Sequence, residues 1–510
     1  MPRHIVVKYA LGPLAETSMM KRMRPFLFVV AATSVFIAGC VSNPATGGKS
    51  VGVGGMDGEK KTVQKHHQEI VKALGLYDDQ ATQEYVNQVG LSVARVSDLP
   101  AEEFKFFVID DDAINAFTTG CCNIYVNRGL LVSLNSEAEL AGVLGHEIGH
   151  VTARHPARRQ ARGVAASLGA MAAAILTGSN AIGQLANIGA QAWMMGYGRE
   201  NEMEADRLGM KYMTKAGYNP ESIGAVFDMF KSGEKFERQR AAAEGREPRL
   251  YHGVFSSHPS PDQRAVQAAK GAANVKDAPD GGWLVRHDEY LTTLNGIAYG
   301  SSKAQGIVRD NRFYHADMNI TVAFPRGWTI DNMRDRLIAF TPKKDAVMQV
   351  MIDAKPDKQA PREFLLTKLK GASTMKGEPL TVNGDDGYTI ITRSGSPIDN
   401  GLGPVRWAVV YHGQSAYIFA GASRSAMNGV PEVDGLILAT TSTLRTLRAS
   451  EFPLAEPYRI KVVKATDKTR LNDYATDMPE DKFKKETLEL INALYPNKAP
   501  AAGQLFKVVE

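Results

Sequence analysis

The sequence feature that most constrains this chain is the pentapeptide His146-Glu147-Ile148-Gly149-His150. On an α-helix, residues four positions apart lie on the same face, one turn from each other. Both imidazoles can therefore reach a single metal ion, and the glutamate beside the first one can face the open position of that metal. The pattern predicts a helix that carries His146 and His150 as metal ligands and Glu147 as the base for a water molecule.

The residues around the pentapeptide also favour a helix. Ser136 followed three residues later by Glu139 is the signature of a capping box at a helix N-terminus. Gly145 and Gly149 lower helix stability by about 1 kcal/mol each relative to alanine, but they allow another backbone to approach closely. Apolar residues recur at helical spacing and are expected to bury one face of the helix: Leu140, Val143 and Leu144.

A later acidic segment supplies a candidate third ligand. A catalytic zinc ion usually takes three protein ligands and keeps one position for water. Glu202 and Asp206 are four residues apart, so they share a face if Arg199–Asp206 is helical. Glu202 is then expected to bind the metal, while Asp206 accepts a hydrogen bond from a ligand histidine. Taken alone, the same segment also fits a solvated acidic helix face.

Together these motifs resemble metallopeptidase family forty-eight, the HtpX-like, BepA-like and CAAX-protease-like gluzincins. The resemblance covers roughly residues 60–300 and rests on these segments: Asn115–Phe117, Ile124–Leu131, Glu139–His150 and Glu202–Asp206. It implies a zinc peptidase with one Zn²⁺ per chain. By this resemblance His146, His150 and Glu202 bind the zinc, and Glu147 is the catalytic base.

The resemblance extends to a downstream His-Pro element, Ser257-His258-Pro259 with Arg264. Three interpretations of His258 stay open. It is a loop residue held by the proline, or a fourth zinc ligand that must swing away for substrate, or a donor to the developing oxyanion. We keep it as a candidate catalytic residue.

A predicted strand runs toward the metal-binding helix and is formed by Asn123, Ile124, Tyr125 and Val126. In zinc peptidases an edge strand of this kind pairs with an extended substrate through main-chain hydrogen bonds. The preceding turn, Thr118–Cys122, differs from the Leu-Pro-Gly-Gly turn of many family members. Its conformation and any substrate contact it makes therefore stay open.

Residues 1–39 are predicted to be a lipoprotein signal peptide. A basic stretch precedes the apolar segment Pro25–Ala38, and Ile37–Cys40 has the form of a lipobox with Cys40 as the acylated residue. The alternative is an uncleaved membrane anchor, for which the apolar segment is short. With the family resemblance, a lipid-anchored protein at the periplasmic face of the outer membrane is expected. Residues 40–60, rich in Ser, Gly, Pro and Thr, are predicted to be a flexible tether.

The charge balance gives no reason to expect a nucleic-acid partner. The whole chain has 60 Lys and Arg against 55 Asp and Glu. Without the five basic residues and one acidic residue of the leader, 55 basic side chains face 54 acidic ones. The apparent basicity therefore lies mostly in the leader.

Two adjacent cysteines, Cys121 and Cys122, follow Cys40. Adjacent cysteines rarely pair with each other, and the spacing is not C-x-x-C, so no disulfide framework is expected. We predict that both are small turn or strand residues, with a redox or metal role as the alternative.

Residues 163–198 carry no charged side chain. They are predicted to form an Ala- and Gly-rich helical hairpin over the site, with membrane helices as the alternative.

A chain of 510 residues is expected to hold several domains. The predicted fold is multidomain α+β, with a mainly helical zincin-type metallopeptidase domain and a small sheet over residues 61–300. Short apolar runs between Gly, Pro and Asp turns predict an α+β domain with an antiparallel sheet over residues 301–450. Residues 457–510 resemble a small βααβ LysM-like module.

These patterns lead to one main hypothesis and two alternatives. The main hypothesis is a zinc-dependent endopeptidase of the cell envelope that acts on misfolded or stalled proteins. One alternative is a periplasmic assembly chaperone or scaffold whose proteolysis is latent, working with the outer-membrane assembly machinery. The other is an envelope protein that binds peptidoglycan through its LysM-like module.

Overall fold

The computed structural model describes residues 38–159, 197–245 and 261–510, together with residue 248. Residues excepted within these ranges are 43, 46, 48, 54, 276, 376, 399–400, 476–477 and 479–481, and for residues 38–42, 49–59 and 261 only the backbone is described. The predicted signal peptide up to residue 37 lies outside the described residues. So do residues 160–196, which hold most of the predicted hairpin, and His258.

The first half of the described chain is mainly helical. Its helices are α1 (Gly55–Leu74), α2 (Gln80–Ala94), α3 (Arg128–Ser133), α4 (Glu137–Thr152), α5 (Arg199–Lys215), α6 (Ser222–Glu244), α7 (Pro261–Ala273) and α8 (His287–Thr293). Apolar side chains of α2, α4, α5 and α6 share one buried core with a small sheet. No helix within the described ranges is long and apolar enough to cross a membrane.

The small sheet has three strands in the order β3-β5-β4: β3 (Lys105–Ile109), β5 (Asn123–Asn127) and β4 (Ala116–Thr118). Strand β5 pairs in parallel with β3 and antiparallel with β4. The prediction that Asn123, Ile124, Tyr125 and Val126 form an edge strand for substrate is therefore wrong. Both edges of β5 are already hydrogen-bonded, because the segment after α2 supplies a parallel partner that the local sequence does not reveal.

The N-terminal end of the described chain also differs from the prediction. Where a flexible tether is predicted over residues 40–60, the backbone forms an antiparallel hairpin of β1 (Ala38–Ser42) and β2 (Lys49–Val53), followed directly by α1. Both strands contain valines, whose branched side chains favour extended backbone. Cys40, the predicted lipid site, lies within β1.

The two adjacent cysteines are joined to each other by a disulfide between Cys121 and Cys122. The prediction that they do not pair is wrong. Both lie buried in the turn between β4 and β5, where the fold brings the two sulfur atoms together.

The middle of the chain holds a seven-stranded antiparallel sheet in the order β10-β11-β12-β16-β15-β14-β13. Its strands are β10 (Thr329–Met333), β11 (Arg336–Phe340), β12 (Ala346–Ala354), β13 (Glu378–Val382), β14 (Asp385–Thr392), β15 (Val405–His412) and β16 (Ser415–Ser423). Helix α9 (Pro361–Lys368) and helix α10 (Asp434–Thr441) pack in two separate apolar clusters of the sheet. The predicted antiparallel sheet is confirmed.

Smaller strands accompany this sheet, namely β6 (Ala298–Tyr299), β7 (Ile307–Arg309), β8 (Arg312–His315), β9 (Ile320–Ala323), β17 (Ala426–Met427) and β18 (Val430–Pro431). Strands β7, β8 and β9 form a three-stranded antiparallel sheet. Strands β17 and β18 form a short hairpin.

The C-terminal segment packs into the core of the helical half. It contains β19 (Tyr458–Lys464), a 3₁₀ turn (Leu471–Tyr474), α11 (Lys484–Ile491) and β20 (Leu505–Val509). Strand β19 pairs with both β20 and β6. Ile460, Leu488 and Val509 belong to the same buried cluster as the apolar side chains of α4. The first half of the chain and the last fifty residues therefore share a core.

Candidate metal centre

Helix α4 carries the pentapeptide and begins where the sequence predicts. The Ser136 hydroxyl accepts a hydrogen bond from the Glu139 backbone N–H at 3.2 Å. The Glu139 carboxylate in turn accepts the backbone N–H of Asn135 at 2.8 Å. These bonds satisfy N–H groups that a helix start otherwise leaves without partners. The predicted N-cap is confirmed, although the carboxylate reaches one residue further back than in a standard capping box.

Glycines on α4 set the distance to α5. A Cβ atom added at Gly149 would lie 2.8 Å from the Ala205 carbonyl oxygen, and one added at Gly145 would lie 2.9 Å from that of Gly209. Real Cβ atoms do not approach oxygen so closely, so only glycine allows the two helices to pack at this separation. The close backbone approach predicted for these glycines is confirmed, and it brings Glu202 of α5 over the pentapeptide.

Three side chains converge at this contact. The Nε2 atoms of His146 and His150 lie 3.0 Å apart. The Glu202 carboxylate places Oε2 3.5 Å from His146 Nε2 and Oε1 3.4 Å from His150 Nε2. Within the part of the chain that the structure describes, this is the one group of three or more His, Cys, Asp or Glu side chains able to hold a metal ion.

Asp206 and Arg264 hold the first histidine. Asp206 accepts a hydrogen bond from His146 Nδ1 at 2.8 Å and receives two bonds from the Arg264 guanidinium at 2.7 Å each. Arg264 Nη1 also lies 2.9 Å from Glu202 Oε2. Burial acts to raise the pKa of Asp206, but the bonds from Arg264 and His146 hold it well below its usual range. The carboxylate therefore stays ionised and fixes the N–H of His146 on Nδ1.

The second histidine has a different support. His150 Nδ1 lies 2.8 Å from His155 Nδ1, and His155 Nε2 lies 3.1 Å from the Glu204 carboxylate. Burial lowers the pKa of His150 well below its ordinary value, and burial lowers the pKa of His155 to about 4. Both rings are therefore neutral at pH 7. Because Glu204 can only accept, His155 carries its proton on Nε2, and its bare Nδ1 accepts the N–H of His150.

The donor set fits a zinc ion. In both ligand histidines the Nδ1 atom is engaged by a hydrogen-bond partner, so Nε2 is the nitrogen that faces the Glu202 carboxylate and is placed to bind a metal ion. Two imidazole nitrogens and one carboxylate are a ligand set of catalytic zinc sites. His146 is 8% exposed, whereas His150 and Glu202 are 0% exposed, so a metal ion held by these side chains would be reached from the His146 side.

Sequence reasoning found part of this network and missed the rest. Asp206 lies where a hydrogen bond to a ligand histidine was predicted. His155 is five residues past His150, and this spacing predicts a structural residue that does not share the ligand face. It nevertheless contacts His150 directly. Glu204 could have been found from its place in the acidic segment. His258 and its neighbours Ser257 and Pro259 lie outside the described residues, so all three interpretations of that histidine stay predictions.

The fold and this centre define a metallopeptidase domain in which two histidines on one helix and a glutamate on the next form the zinc site. Residues 80–272 match Peptidase family M48. This segment of the chain is thus an M48 zinc metallopeptidase domain, and the family resemblance seen in the sequence is confirmed.

Three relatives illustrate the range of similar proteins. The chain is 29% identical over 213 residues to the "Beta-barrel assembly-enhancing protease" of Yersinia pestis, covering 40% of this chain and 41% of the relative. It is 31% identical over 205 residues to the "Putative beta-barrel assembly-enhancing protease" of Vibrio cholerae, covering 38% of this chain and 40% of the relative. It is 29% identical over 201 residues to the "Mitochondrial metalloendopeptidase OMA1" of Arabidopsis thaliana, covering 39% of this chain and 38% of the relative. The matches span about two fifths of the length of each relative.

Proposed function

We propose that this protein is a zinc-dependent endopeptidase of the bacterial cell envelope that cleaves misfolded or stalled envelope proteins. The observation that carries the proposal is the convergence of His146, His150 and Glu202, with Glu147 on the same turn of helix. Zinc held by these side chains supplies a Lewis acid and lowers the pKa of a water molecule toward neutrality.

The residues of the chain perform the proton transfers. Glu147 is 2% exposed and borders the same cavity as His146. It takes a proton from the attacking water and delivers it to the nitrogen of the leaving amine. Asp206 and His155 keep the two ligand imidazoles in the tautomer that leaves Nε2 without a proton. Arg264 balances the charge of Glu202 and Asp206.

An extended substrate is proposed to bind along the outer edge of β4. Strand β4 is the last strand of its sheet, and no strand of the described chain pairs with its outer edge. Ala116 of β4 lines the cavity beside His146 and Glu147. Addition of a substrate strand at such an edge uses main-chain hydrogen bonds, so side-chain selectivity arises only in pockets along the strand.

The proposed location and partners rest on the leader and on the relatives. The lipobox ending at Cys40 supports a lipid anchor, and we place the mature protein at the periplasmic face of the outer membrane. The names of the two bacterial relatives refer to β-barrel assembly. Protein substrates from the outer-membrane assembly machinery are therefore proposed, and the seven-stranded sheet domain is proposed to position them.

The proposal is tested with Glu147→Gln, which removes the base but keeps the size of the side chain. Full-length zinc-loaded parent and variant are incubated with unfolded casein, and zinc is measured by mass spectrometry. We expect one zinc per chain in both proteins, and a loss of cleavage of about 10²–10⁴-fold in the variant, which is the usual contribution of a general acid–base group.

Glu200→Gln is the matched control, because Glu200 is an exposed acid in the first turn of α5. It should cleave casein at the parental rate. Cleavage by Glu147→Gln at the parental rate would rule out the assigned mechanism, and a parent protein that binds no zinc would rule out the metal centre.

A further inference from the structure

A cavity of about 50 Å³ lies beside the metal centre, between α4 and α6. His146 and Glu147 border it on one side. The other described residues of its wall are largely apolar and include Leu130, Gly142, Ile223, Val226, Phe227 and Phe230. A single water needs about 10–15 Å³ of such space. The cavity therefore has room for roughly four waters, which is about the space taken by one aliphatic side chain.

Two charged side chains that border the cavity are paired with each other, so they do not favour the binding of a charged substrate side chain. Asp206 and Arg264 also border it, but they are bonded to each other through two hydrogen bonds of 2.7 Å. The Arg264 guanidinium in addition lies over the ring of Phe227, 5.3 Å from its centre. A charged side chain that entered the cavity would lose its hydration against apolar walls, whereas an aliphatic one would gain from leaving water.

We propose that this cavity is a specificity pocket for a medium-sized aliphatic side chain, such as that of Val, Leu, Ile or Met. The side chain belongs to the substrate residue whose backbone nitrogen becomes the leaving amine. This inference rests on the proposed peptidase function, because it assigns the pocket relative to the bond that is cut.

The position of Glu147 fixes which substrate residue enters. Glu147 delivers its proton to the leaving nitrogen, and the Cα atom of that residue is one bond, about 1.46 Å, from this nitrogen. Ala116 of β4 lines the same cavity, so a substrate strand on the outer edge of β4 runs past the opening. Side chains of an extended strand alternate between its two faces. One side chain beside the cut bond therefore faces the cavity, and its neighbours face away.

The expected selectivity is large enough to measure. One methylene group in an apolar pocket changes kcat/KM by about 10–200-fold. Leu should therefore exceed Gly at this substrate position by about 10²-fold or more in kcat/KM. Asp should be at least as poor as Gly, because its charge would lose hydration against the apolar side chains that line the cavity.

The first experiment maps cleavage sites. Full-length zinc-loaded protein digests unfolded casein, and mass spectrometry identifies the residue on the amine side of each cut. Peptides that carry the most frequent sequence, with Gly, Leu, Phe or Asp at that position, then give kcat/KM. An equal rate for Gly and Leu, with cleavage that still depends on Glu147, overturns the pocket and leaves the proposed function intact.

Two phenylalanines on α6 provide a matched pair of variants. Phe230→Ala enlarges the cavity and should move the preference from Leu toward Phe by about 10-fold or more. Phe236→Ala removes the same atoms from the same helix, but Phe236 packs against Phe483 and Tyr495 in the C-terminal segment. It should leave the preference unchanged. The same shift in both variants would mean that the effect is structural and would overturn the assignment.

A binding measurement separates the pocket from catalysis. The zinc-loaded parent is titrated by calorimetry with a peptide hydroxamate that carries an isobutyl side chain, and with its unsubstituted glycine analogue. The isobutyl compound should bind at least 10-fold more tightly, and Phe230→Ala should reduce this ratio. Equal binding of both compounds overturns the pocket. A clear preference without any cleavage of casein keeps the pocket and overturns the proposed activity.

Discussion

At the scale of single residues, the two histidines able to bind a metal ion are positioned by groups outside that ligand set. His146 is held by a carboxylate that an arginine keeps ionised, whereas His150 is held by a second neutral histidine. His155 acts as a relay, because it accepts from His150 on one nitrogen and donates to Glu204 from the other. Groups in this position orient the ring and raise its basicity. The affinity for zinc should therefore respond to His155.

His155→Phe keeps a planar ring but removes both hydrogen bonds. We expect the Kd for zinc to rise by about 10–100-fold, measured by competition with a chelator, because the His150 tautomer is no longer fixed. His155→Gln, whose amide can both accept and donate, should recover part of the affinity. His412→Phe is the control, since His412 bonds Asp385 in the sheet domain. A parental Kd for His155→Phe would exclude the relay.

At the scale of secondary-structure elements, the contact between α4 and α5 decides whether the third ligand is present. Gly145 and Gly149 face backbone atoms of α5, and a Cβ added at Gly209 of α5 would lie 2.7 Å from the His146 backbone nitrogen. Both helices therefore present glycine at the crossing. The backbone can move apart only by carrying Glu202 away from the two histidines, so packing and metal binding are coupled.

Gly149→Ala should destabilise the protein by about 1–3 kcal/mol, the usual effect of added volume in a packed core. It should also weaken zinc binding, because α5 must shift. Gly224→Ala, on α6, is the matched control, since a Cβ there meets no atom within 4 Å. It should stabilise its helix by up to about 1 kcal/mol. Thermal unfolding and chelator competition measure both effects. Unchanged zinc affinity in Gly149→Ala would show that the contact does not position Glu202.

At the scale of the whole molecule, the C-terminal segment supports the start of the metal-binding helix. Lys507 of β20 is 0% exposed, and its ammonium group donates to the carbonyl oxygens of Val132 and Leu134, at 2.7 and 2.6 Å. These carbonyls lie just before the N-cap of α4. A residue near the end of the chain thus fixes the loop that leads into the metal centre.

Burial of Lys507 predicts how stability varies with pH. Burial lowers the pKa of Lys507 to about 7, against about 10.4 in an unfolded chain. Between these pH values the unfolded chain binds more protons than the folded one, so the free energy of unfolding rises with pH. This one group contributes up to about 1.4 kcal/mol per pH unit.

Lys507→Met removes this contribution. The stability of the parent relative to the variant should therefore increase from pH 7.5 to pH 9.5, measured as the urea midpoint of the full-length proteins. Lys461→Met, at an exposed lysine on the adjacent strand β19, should show no such change. If the urea midpoints of the parent and of Lys507→Met changed in parallel with pH, this would contradict a buried lysine with a lowered pKa.

Much of the local structure was accessible from the sequence, because it depends on short-range patterns. The spacing of His146 and His150, the cap at Ser136 and the two glycines each act within one or two helical turns. The alternation of apolar runs and turns likewise predicted the antiparallel sheet of the middle domain. The central position of β5 was not accessible, since strand order depends on which distant segment supplies each partner.

The sequence by itself determined the chemistry of this protein, namely which side chains can bind zinc and which carboxylate stands beside them. The physical reason is that the spacing of residues along one helix fixes the directions in which their side chains point. Only the tertiary structure decided that His155 supports His150, that β4 is an edge strand of its sheet within the described residues, and that Lys507 reaches the loop before α4. These contacts join residues from separate elements, some of them hundreds of positions apart. They exist only because the packed core holds those elements at fixed distances.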